Sequence, residues 1–195
     1  MKNAPNFKIH VAAGDSLLHG RRFGRGGQGL LSVDKEWLPD AFCQGDFEQA
    51  TEILSQQYHA VVGNPPYIVD KDKAHNNAVR RRYDSCHRQF SLAVPFKELF
   101  FQIAVEGDRP GFIGMITANS FMKREFGTVL IEKFLPRVDL THVIDTSGAY
   151  IPGHGTPTVI LLGRNRKHNG GPVRAALGIR GEPSTPDDPA QGRVW

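Results

Sequence analysis

The chain has 195 residues, of which 39% are hydrophobic and 23% charged, so its length suits one domain with a buried core. No apolar run approaches the roughly 20 residues that span a bilayer, and the first ten residues lack the apolar stretch of a secretory signal. The sequence therefore predicts no membrane segment and a cytoplasmic location. Two cysteines exclude a disulfide-rich framework and a four-cysteine zinc module, and the net charge of +4 permits an anionic partner without requiring one.

The first half of the chain predicts two short strands and a helix. Residues 7–13 alternate weakly between polar and apolar and predict a strand, and residues 19–45, rich in Gly and Arg, predict loop. Asp46 is a typical N-cap before a stretch with helical apolar spacing. Residues 58–63 form a compact apolar strand pattern. Residues 71–89 are polar and basic, and their pattern does not decide between helix and loop.

The second half has clearer periodicity. Residues 92–105 place apolar side chains on one helix face, with Lys97 and Glu98 on its polar side. Residues 111–118 are an apolar run of the length of a buried strand, and a further helix pattern ends at Pro136. Strands are predicted at residues 138–145 and 158–162.

This order of elements predicts an α/β fold. Alternating strands and helices form right-handed crossovers, which favour a parallel sheet with helices on both faces. Only a loop joins the last two predicted strands, so we expect them to form an antiparallel hairpin at one edge. From Arg164 onward the chain is polar and basic. We therefore divide it into a main domain, residues 1–163, and a polar basic linker or tail, residues 164–195.

The strongest candidate site is Asn64-Pro65-Pro66-Tyr67, directly after the strand at residues 58–63. In an open parallel sheet, ligands bind at the carboxyl ends of strands. The Asn64 amide oxygen and the Pro65 carbonyl can both accept from an exocyclic amine, Pro66 stiffens the turn, and Tyr67 offers a face for stacking. An amine held in this way keeps its lone pair free to attack a methyl donor. The competing interpretation is an ordinary strand-terminating turn.

The tetrapeptide resembles the catalytic motif (D/N/S)PP(Y/F/W) of the N6-adenine and N4-cytosine amino-methyltransferases. The strand at residues 111–118 and the Asn119-Ser120-Phe121-Met122 that follows it are also similar to that family. Residues 143–161 (VIDTSGAYIPGHGTPTVIL) are similar to a narrower group, the PglX-like adenine-specific methyltransferases of BREX phage-defence systems, which are related to the Eco57I-type methylases. The resemblance runs from about Phe7 to the end of the chain. It implies a Rossmann-like, class I methyltransferase sheet that uses S-adenosylmethionine.

The resemblance also implies roles for individual residues. Asn64 and the Pro65 carbonyl hold the amine of the target base, and Tyr67 stacks on an adenine flipped out of double-stranded DNA. Asp15 hydrogen-bonds the adenosine of the cofactor. Asn64 is a second residue that contacts the cofactor. Tyr150 lies where the family places a second wall of the base pocket, although it equally fits a hinge aromatic that packs on the sheet.

Cationic side chains follow the tetrapeptide closely. They suit contacts with DNA phosphates, which supply affinity that does not depend on sequence. A solvated helix face is the alternative. The residues concerned are Lys71, Lys73, Arg80, Arg81, Arg82 and Arg88.

The resemblance is incomplete at its amino-terminal side. The family's glycine-rich cofactor motif precedes the position of Asp15, whereas the Gly-rich run here, residues 24–29, follows it and does not open a helix. We therefore expect an incomplete methyltransferase sheet, with marginal stability in isolation. The expected partners are double-stranded DNA, the missing part of the same enzyme and other defence-system proteins.

Other functions remain open. The chain alternatively is an inactive remnant or a DNA-binding fragment, and the tetrapeptide also occurs in methyltransferases acting on glutamine amides and on RNA. Residues 14–17 spell the GDSL signature of an esterase family, and Asp139 with His142 imitates that family's later Asp-x-x-His. A nucleophilic serine needs a base on an exposed loop, whereas His142 falls within a strand pattern. The eight histidines are scattered, so the sequence predicts no metal site.

Overall fold

A computed structural model describes residues 9–19, 45–149, 155–178 and 181–192. The predicted loop over most of residues 19–45, including the Gly-rich run at 24–29, lies outside the described residues, as does Tyr150. The chain divides into two compact units, Met1–Gln56 and Gln57–Trp195.

The described part of the first unit contains a tight turn and one helix, α1 (Phe47–Leu54). The strand predicted at residues 7–13 is wrong for residues 9–13, which adopt no regular structure. Ile9 and Val11 there remain 73% and 74% exposed, so the weak alternation buries no apolar face. Asp46 is the N-cap residue of α1 as predicted, but its carboxylate accepts from the backbone N–H of Ala13 at 3.2 Å and makes no bond to its own helix.

The second unit is built on a five-stranded mixed sheet in the order β1-β2-β4-β3-β5. β1 and β2 are parallel, β4 lies antiparallel between β2 and β3, and β5 runs parallel to β3. The strands are β1 (Ala60–Gly63), β2 (Phe112–Ala118), β3 (Asp139–Asp145), β4 (Thr158–Arg164) and β5 (Arg174–Ala176).

The predicted α/β fold is confirmed, and so is the antiparallel pairing of β3 with β4. The structure differs from the expectation in where that hairpin lies, because β4 inserts between β2 and β3 and β5 forms the edge beyond β3. β5 lies within residues 164–195, which were expected to form a linker or tail. Its three residues are too few to show a strand pattern, and the open edge of β3 supplies their pairing.

The two α-helices of the second unit have the character that the sequence predicted or left open. α2 (Lys73–Arg82) settles the undecided stretch, and the Asp72 carboxylate caps it by accepting from the backbone N–H of Ala74 at 2.8 Å. α3 (Ala93–Ile103) lies within the predicted helix at residues 92–105.

The single helix predicted before Pro136 is instead a series of short turns. A Cβ placed on Gly127 would lie 1.8 Å from the carbonyl oxygen of Phe121, so this close backbone contact holds the chain in a bend that a continuous helix does not allow. The segments are 3-10 turns at Asn119–Met122, Glu125–Gly127 and Leu135–Arg137 and a π-helical turn at Leu130–Phe134.

The core of the second unit lies between α3 and one face of the sheet. Phe101 of α3 packs edge-to-face on Phe134 at 5.7 Å, and a Cβ on Gly163 of β4 would lie 3.0 Å from the Phe101 ring. In the described part of the chain, α3 and the segment with Phe134 pack against the same face of the sheet. The sequence had instead predicted helices on both faces. On the other face Val62 is 77% and Phe112 62% exposed.

No helix among the described residues is long and apolar enough to cross a membrane.

Candidate active site

The Asn64–Tyr67 segment leaves the carboxyl end of β1, where α3 sets its position. Gly63, the last residue of β1, pairs with Met115 of β2. A Cβ on Gly63 would lie 2.9 Å from Cζ of Phe100, so glycine lets α3 approach the end of the strand closely. The carboxyl ends of β1 and β2 therefore meet at one edge, with α3 against one side of it.

Within this segment, buried and exposed residues alternate. Asn64 and Pro66 are exposed, Pro65 is buried, and Tyr67 is half-buried. The Tyr67 hydroxyl donates to Oδ1 of Asn64. Burial raises the pKa of Tyr67, so this hydroxyl stays protonated and remains a donor at neutral pH. The amide oxygen has two lone pairs, so it can accept from a second donor as well.

The far end of the segment is tied to the start of α3. The Ile68 carbonyl accepts from the backbone N–H of Leu92 at 2.9 Å, and Val69 forms an antiparallel bridge with Ser91. The segment is thus held by α3 at both of its ends.

Asp15, the predicted cofactor contact, lies in the turn of the first unit. Its Oδ1 accepts from the backbone N–H groups of Leu17 at 2.8 Å and Leu18 at 3.1 Å, which orients the carboxylate. A Cβ on the preceding Gly14 would lie 2.5 Å from Nδ1 of His19, so the turn requires glycine there. An oriented carboxylate on a tight turn is a suitable acceptor for the hydroxyl or amino groups of an adenosine.

The six predicted DNA-contacting cations differ in their exposure to solvent. Arg82 is buried, with 6% exposed, whereas the other five are exposed. The Arg80 guanidinium lies 5.0 Å from the centre of the Phe90 ring, and Arg88 pairs with Glu125 at 2.9 Å. Lys71, Lys73, Arg80 and Arg88 line an open groove of about 540 Å³, together with Asp70 and Asp72.

Sequence reasoning missed a polar network at the same edge of the sheet. The Asn119 side-chain amide, directly after β2, donates to Oγ of Ser147 at 2.8 Å, and that hydroxyl donates to Asp145 at the end of β3. Asn119 directly follows a predicted strand and Asp145 ends one, and these positions were the signal that could have identified the network.

Two charged residues of α3 were also misplaced by the sequence pattern. Lys97 and Glu98, expected on the polar side of the helix, are only 1% and 4% exposed. Glu98 accepts from the backbone N–H of Ser85 at 3.0 Å, and burial raises its pKa despite that bond. No sequence signal marks either residue as buried.

The esterase interpretation is not supported by the contacts of its predicted residues. The Asp139 carboxylate pairs with Arg164 at 2.9 Å and Arg166 at 2.7 Å, while Nδ1 of His142 lies 3.0 Å from the Thr141 hydroxyl. Asp139 therefore does not orient His142 as a general base. No cluster suited to a metal ion occurs among the described residues.

Comparisons with known proteins agree with the motif. A family profile described as the Eco57I restriction-modification methylase matches residues 31–151, more than half of the chain. The chain is 46% identical over 202 residues to the adenine-specific methyltransferase PglX of Streptomyces coelicolor, covering 96% of this chain but 16% of that protein. It is 27% identical over 176 residues to the type II methyltransferase M.PaeR7I of Pseudomonas aeruginosa, covering 87% of this chain and 28% of that protein.

Among solved structures, similarity extends to the cryo-electron microscopy structure of the DrdV–DNA complex. The sequences are 12% identical, with a TM-score of 0.46 over 67% of this chain and 16% of that chain.

Proposed function

The chain belongs to the Eco57I restriction-modification methylase family, and we propose that it carries the catalytic segment of a DNA adenine-N6 methyltransferase. The observation that carries the proposal is the Asn64–Tyr67 segment, which presents hydrogen-bond acceptors and an aromatic ring at the carboxyl end of β1. The similarity to PglX, a protein named as adenine-specific, favours adenine as the target base. The resemblance of residues 143–161 of this chain to BREX methyltransferases favours a role in phage defence.

The proposed methyl donor is S-adenosylmethionine, which supplies an electrophilic methyl group when bound. Asp15 fits a contact with its adenosine, because the bonds from Leu17 and Leu18 hold the carboxylate in one orientation. Asn64 is a second proposed contact of the methyl donor. The half-buried Tyr67 and exposed Asn64 leave this edge accessible to a planar base.

In the proposed mechanism, Asn64 and Pro65 act by orientation. The Asn64 amide oxygen and the Pro65 carbonyl accept hydrogen bonds from the two N–H groups of the adenine amine, which directs its lone pair toward the methyl group. The nitrogen would gain the methyl group as the methyl–sulfur bond of the donor breaks and its electron pair stays on sulfur. The nitrogen would then release one proton to solvent, so no strong base is required. The Tyr67 hydroxyl holds the Asn64 side chain in place, and its ring offers the stacking surface for a base that has left the duplex.

Double-stranded DNA is the proposed partner. The exposed cations Lys71, Lys73 and Arg81 lie on or before α2, which follows the candidate segment, and are suited to phosphate contacts. We leave Arg82 out of this surface because it is buried. Tyr150 remains a proposed second wall of the base pocket. Other parts of a longer enzyme and further defence-system proteins are proposed partners as well.

The test is transfer of labelled methyl groups from S-adenosylmethionine to duplex DNA, with N6-methyladenine identified by mass spectrometry. Asn64→Ala should reduce the rate by about 10²- to 10³-fold, the cost of removing one positioned hydrogen bond in an active site. Asn64→Asp is the matched control and should retain measurable activity, because it keeps an acceptor at the same place. Undiminished transfer by Asn64→Ala would contradict the site assignment.

The alternative proposal is an inactive remnant or a DNA-binding fragment. Calorimetric titration of the chain with S-adenosylmethionine separates the two. Micromolar binding would argue against a remnant, and no detectable binding would support it.

A further inference from the structure

Lys97 is a cation enclosed within the protein interior. It is 1% exposed, and its Nζ donates to the Thr117 hydroxyl at 3.0 Å and to the Ala93 carbonyl at 3.1 Å. Nζ also lies 4.3 Å from the centre of the Phe121 ring. No carboxylate pairs with Lys97 in the part of the chain that the structure describes. Because a buried ammonium without a counter-ion is costly, its retention requires an explanation.

The three contacts of Lys97 join separate elements. Ala93 belongs to the first turn of α3, Thr117 lies near the carboxyl end of β2, and Phe121 lies in the Asn119–Met122 turn that follows. That turn leaves the sheet at the same edge as the Asn64–Tyr67 segment, because β1 and β2 are parallel neighbours. Lys97 therefore links the helix that supports the candidate segment to the turn beside it.

Phe121 is held from a second side. Its side chain is 3% exposed, and its backbone lies against Gly127, where a Cβ would approach within 1.8 Å. Gly127 restricts the backbone of Phe121, and the Lys97 ammonium is the charged group that lies over the face of its ring.

We propose that Lys97 is a positioning residue that holds Phe121, and with it the Asn119–Met122 turn, against the edge of the sheet, and that this hold depends on the proton of Lys97. The consequence for methyl transfer rests on the proposed function, whereas the contact itself does not.

The chemistry of an amine explains why the ring responds to this proton. An ammonium has three N–H groups, and a neutral amine keeps two, which is enough for the two acceptors, Thr117 and Ala93. Loss of the proton removes the positive charge, and with it the attraction to the face of Phe121. The hydrogen bonds to the helix and strand survive while the contact with the turn is lost.

The surroundings of Lys97 place this change near neutral pH. Burial lowers the pKa of Lys97 to about 7. Within α3 the neighbouring carboxylate, Glu98, is directed to the backbone N–H of Ser85, β2 presents the uncharged Thr117, and the turn presents the uncharged Phe121. Lys123 of the adjoining segment is exposed. In the described structure, burial is thus the dominant influence on this group.

The direct test is NMR of the chain with ¹³C-labelled lysine, with the Lys97 signal assigned by its absence in Lys97→Met. The Lys97 Cε resonance should titrate with a midpoint near 7, and the Phe121 ring resonances should shift with the same midpoint. Phe121→Leu should keep the lysine titration, which shows that burial and not the ring lowers the pKa. A Lys97 midpoint above about 9, or a Phe121 ring that does not respond, would overturn the proposal. If Lys97→Met does not fold, the Lys97 signal is instead assigned in the wild type by through-bond correlation with the backbone.

The second test is the pH profile of methyl transfer. Between pH 6.5 and 8.5, kcat should fall about fivefold in the wild type, since a buried cation–π contact is worth about 1 kcal/mol, while KM for S-adenosylmethionine stays constant. The profile should lose this step in both Lys97→Met and Phe121→Leu. An unchanged step in Lys97→Met would overturn the proposal. If no variant and no wild type transfers methyl groups, the proposed function fails, and NMR still decides the Lys97–Phe121 contact.

Discussion

The two faces of the β1–β2 pair differ sharply although both are apolar. On one face Val61, Ile113 and Met115 are buried, with 2% to 8% exposed, and on the other Val62 and Phe112 remain 77% and 62% exposed. Successive residues of the same strands are therefore alternately buried and exposed. Apolar character therefore identifies these segments as strands, while the position of α3 decides which face becomes the core.

The contacts that position the candidate site come from the buried face. The close approach of Phe100 to Gly63 and the bond from Lys97 to Thr117 both involve α3. The exposed face instead lines an open pocket of about 620 Å³ that includes Phe112, Leu162 and Arg174. Substitutions on the two faces should therefore have unequal effects.

The largest difference in stability should separate Ile113 from Phe112. Ile113→Ala leaves a cavity under α3 and should lower the free energy of unfolding by about 2–5 kcal/mol. Phe112→Thr keeps a residue suited to a strand at an exposed position and should cost less than about 1 kcal/mol. Urea unfolding monitored by circular dichroism measures both. Equal losses would show that the outer face is also part of the core.

A smaller effect is expected where α3 meets β1. Gly63→Ala places a methyl group 2.9 Å from Cζ of Phe100 and should destabilise the chain by about 1–3 kcal/mol. The control is Gly155→Ala, because no atom of the described residues lies within 4 Å of a Cβ there, and it should change stability by less than about 0.5 kcal/mol. Thermal unfolding of both variants provides the comparison, and equal melting temperatures would refute the close contact.

The smallest effect is expected for α2, where Arg82 is buried and its neighbour Arg81 is exposed. Arg81→Ala should weaken binding to duplex DNA by about two- to fivefold and reduce the slope of log affinity against log salt by about one, as expected for one lost phosphate contact. Arg109→Ala removes the same charge from the exposed turn before β2, at the opposite edge of the sheet, and should leave affinity unchanged. Fluorescence anisotropy over a salt series distinguishes the two, and equal losses would indicate attraction by net charge alone.

Much of the architecture was predictable because it depends on local patterns. The runs that form β1, β2 and β4 are mostly apolar, and β3 combines Leu, Val and Ile with polar residues. All four have the length of strands and end at Pro, Gly or polar residues. β5 was not predictable, since three residues carry no period and only the edge of β3 pairs them. The break in the helix before Pro136 was equally hidden, because it follows from the contact of Gly127 with Phe121.

The family and the candidate segment can be identified from the amino acids alone, because Asn64–Tyr67 is contiguous and directly follows a strand pattern. The polar residues that support that segment can be identified only in the folded chain. Lys97 and Arg82 read as surface cations in the sequence, yet both are buried, because the neighbours that enclose them come from other elements of the fold. The charge of a residue can be read from the sequence, whereas its burial depends on contacts with residues distant in sequence. The insertion of β4 between β2 and β3 and the enclosure of Lys97 depend on such contacts, so the structure was needed to find them.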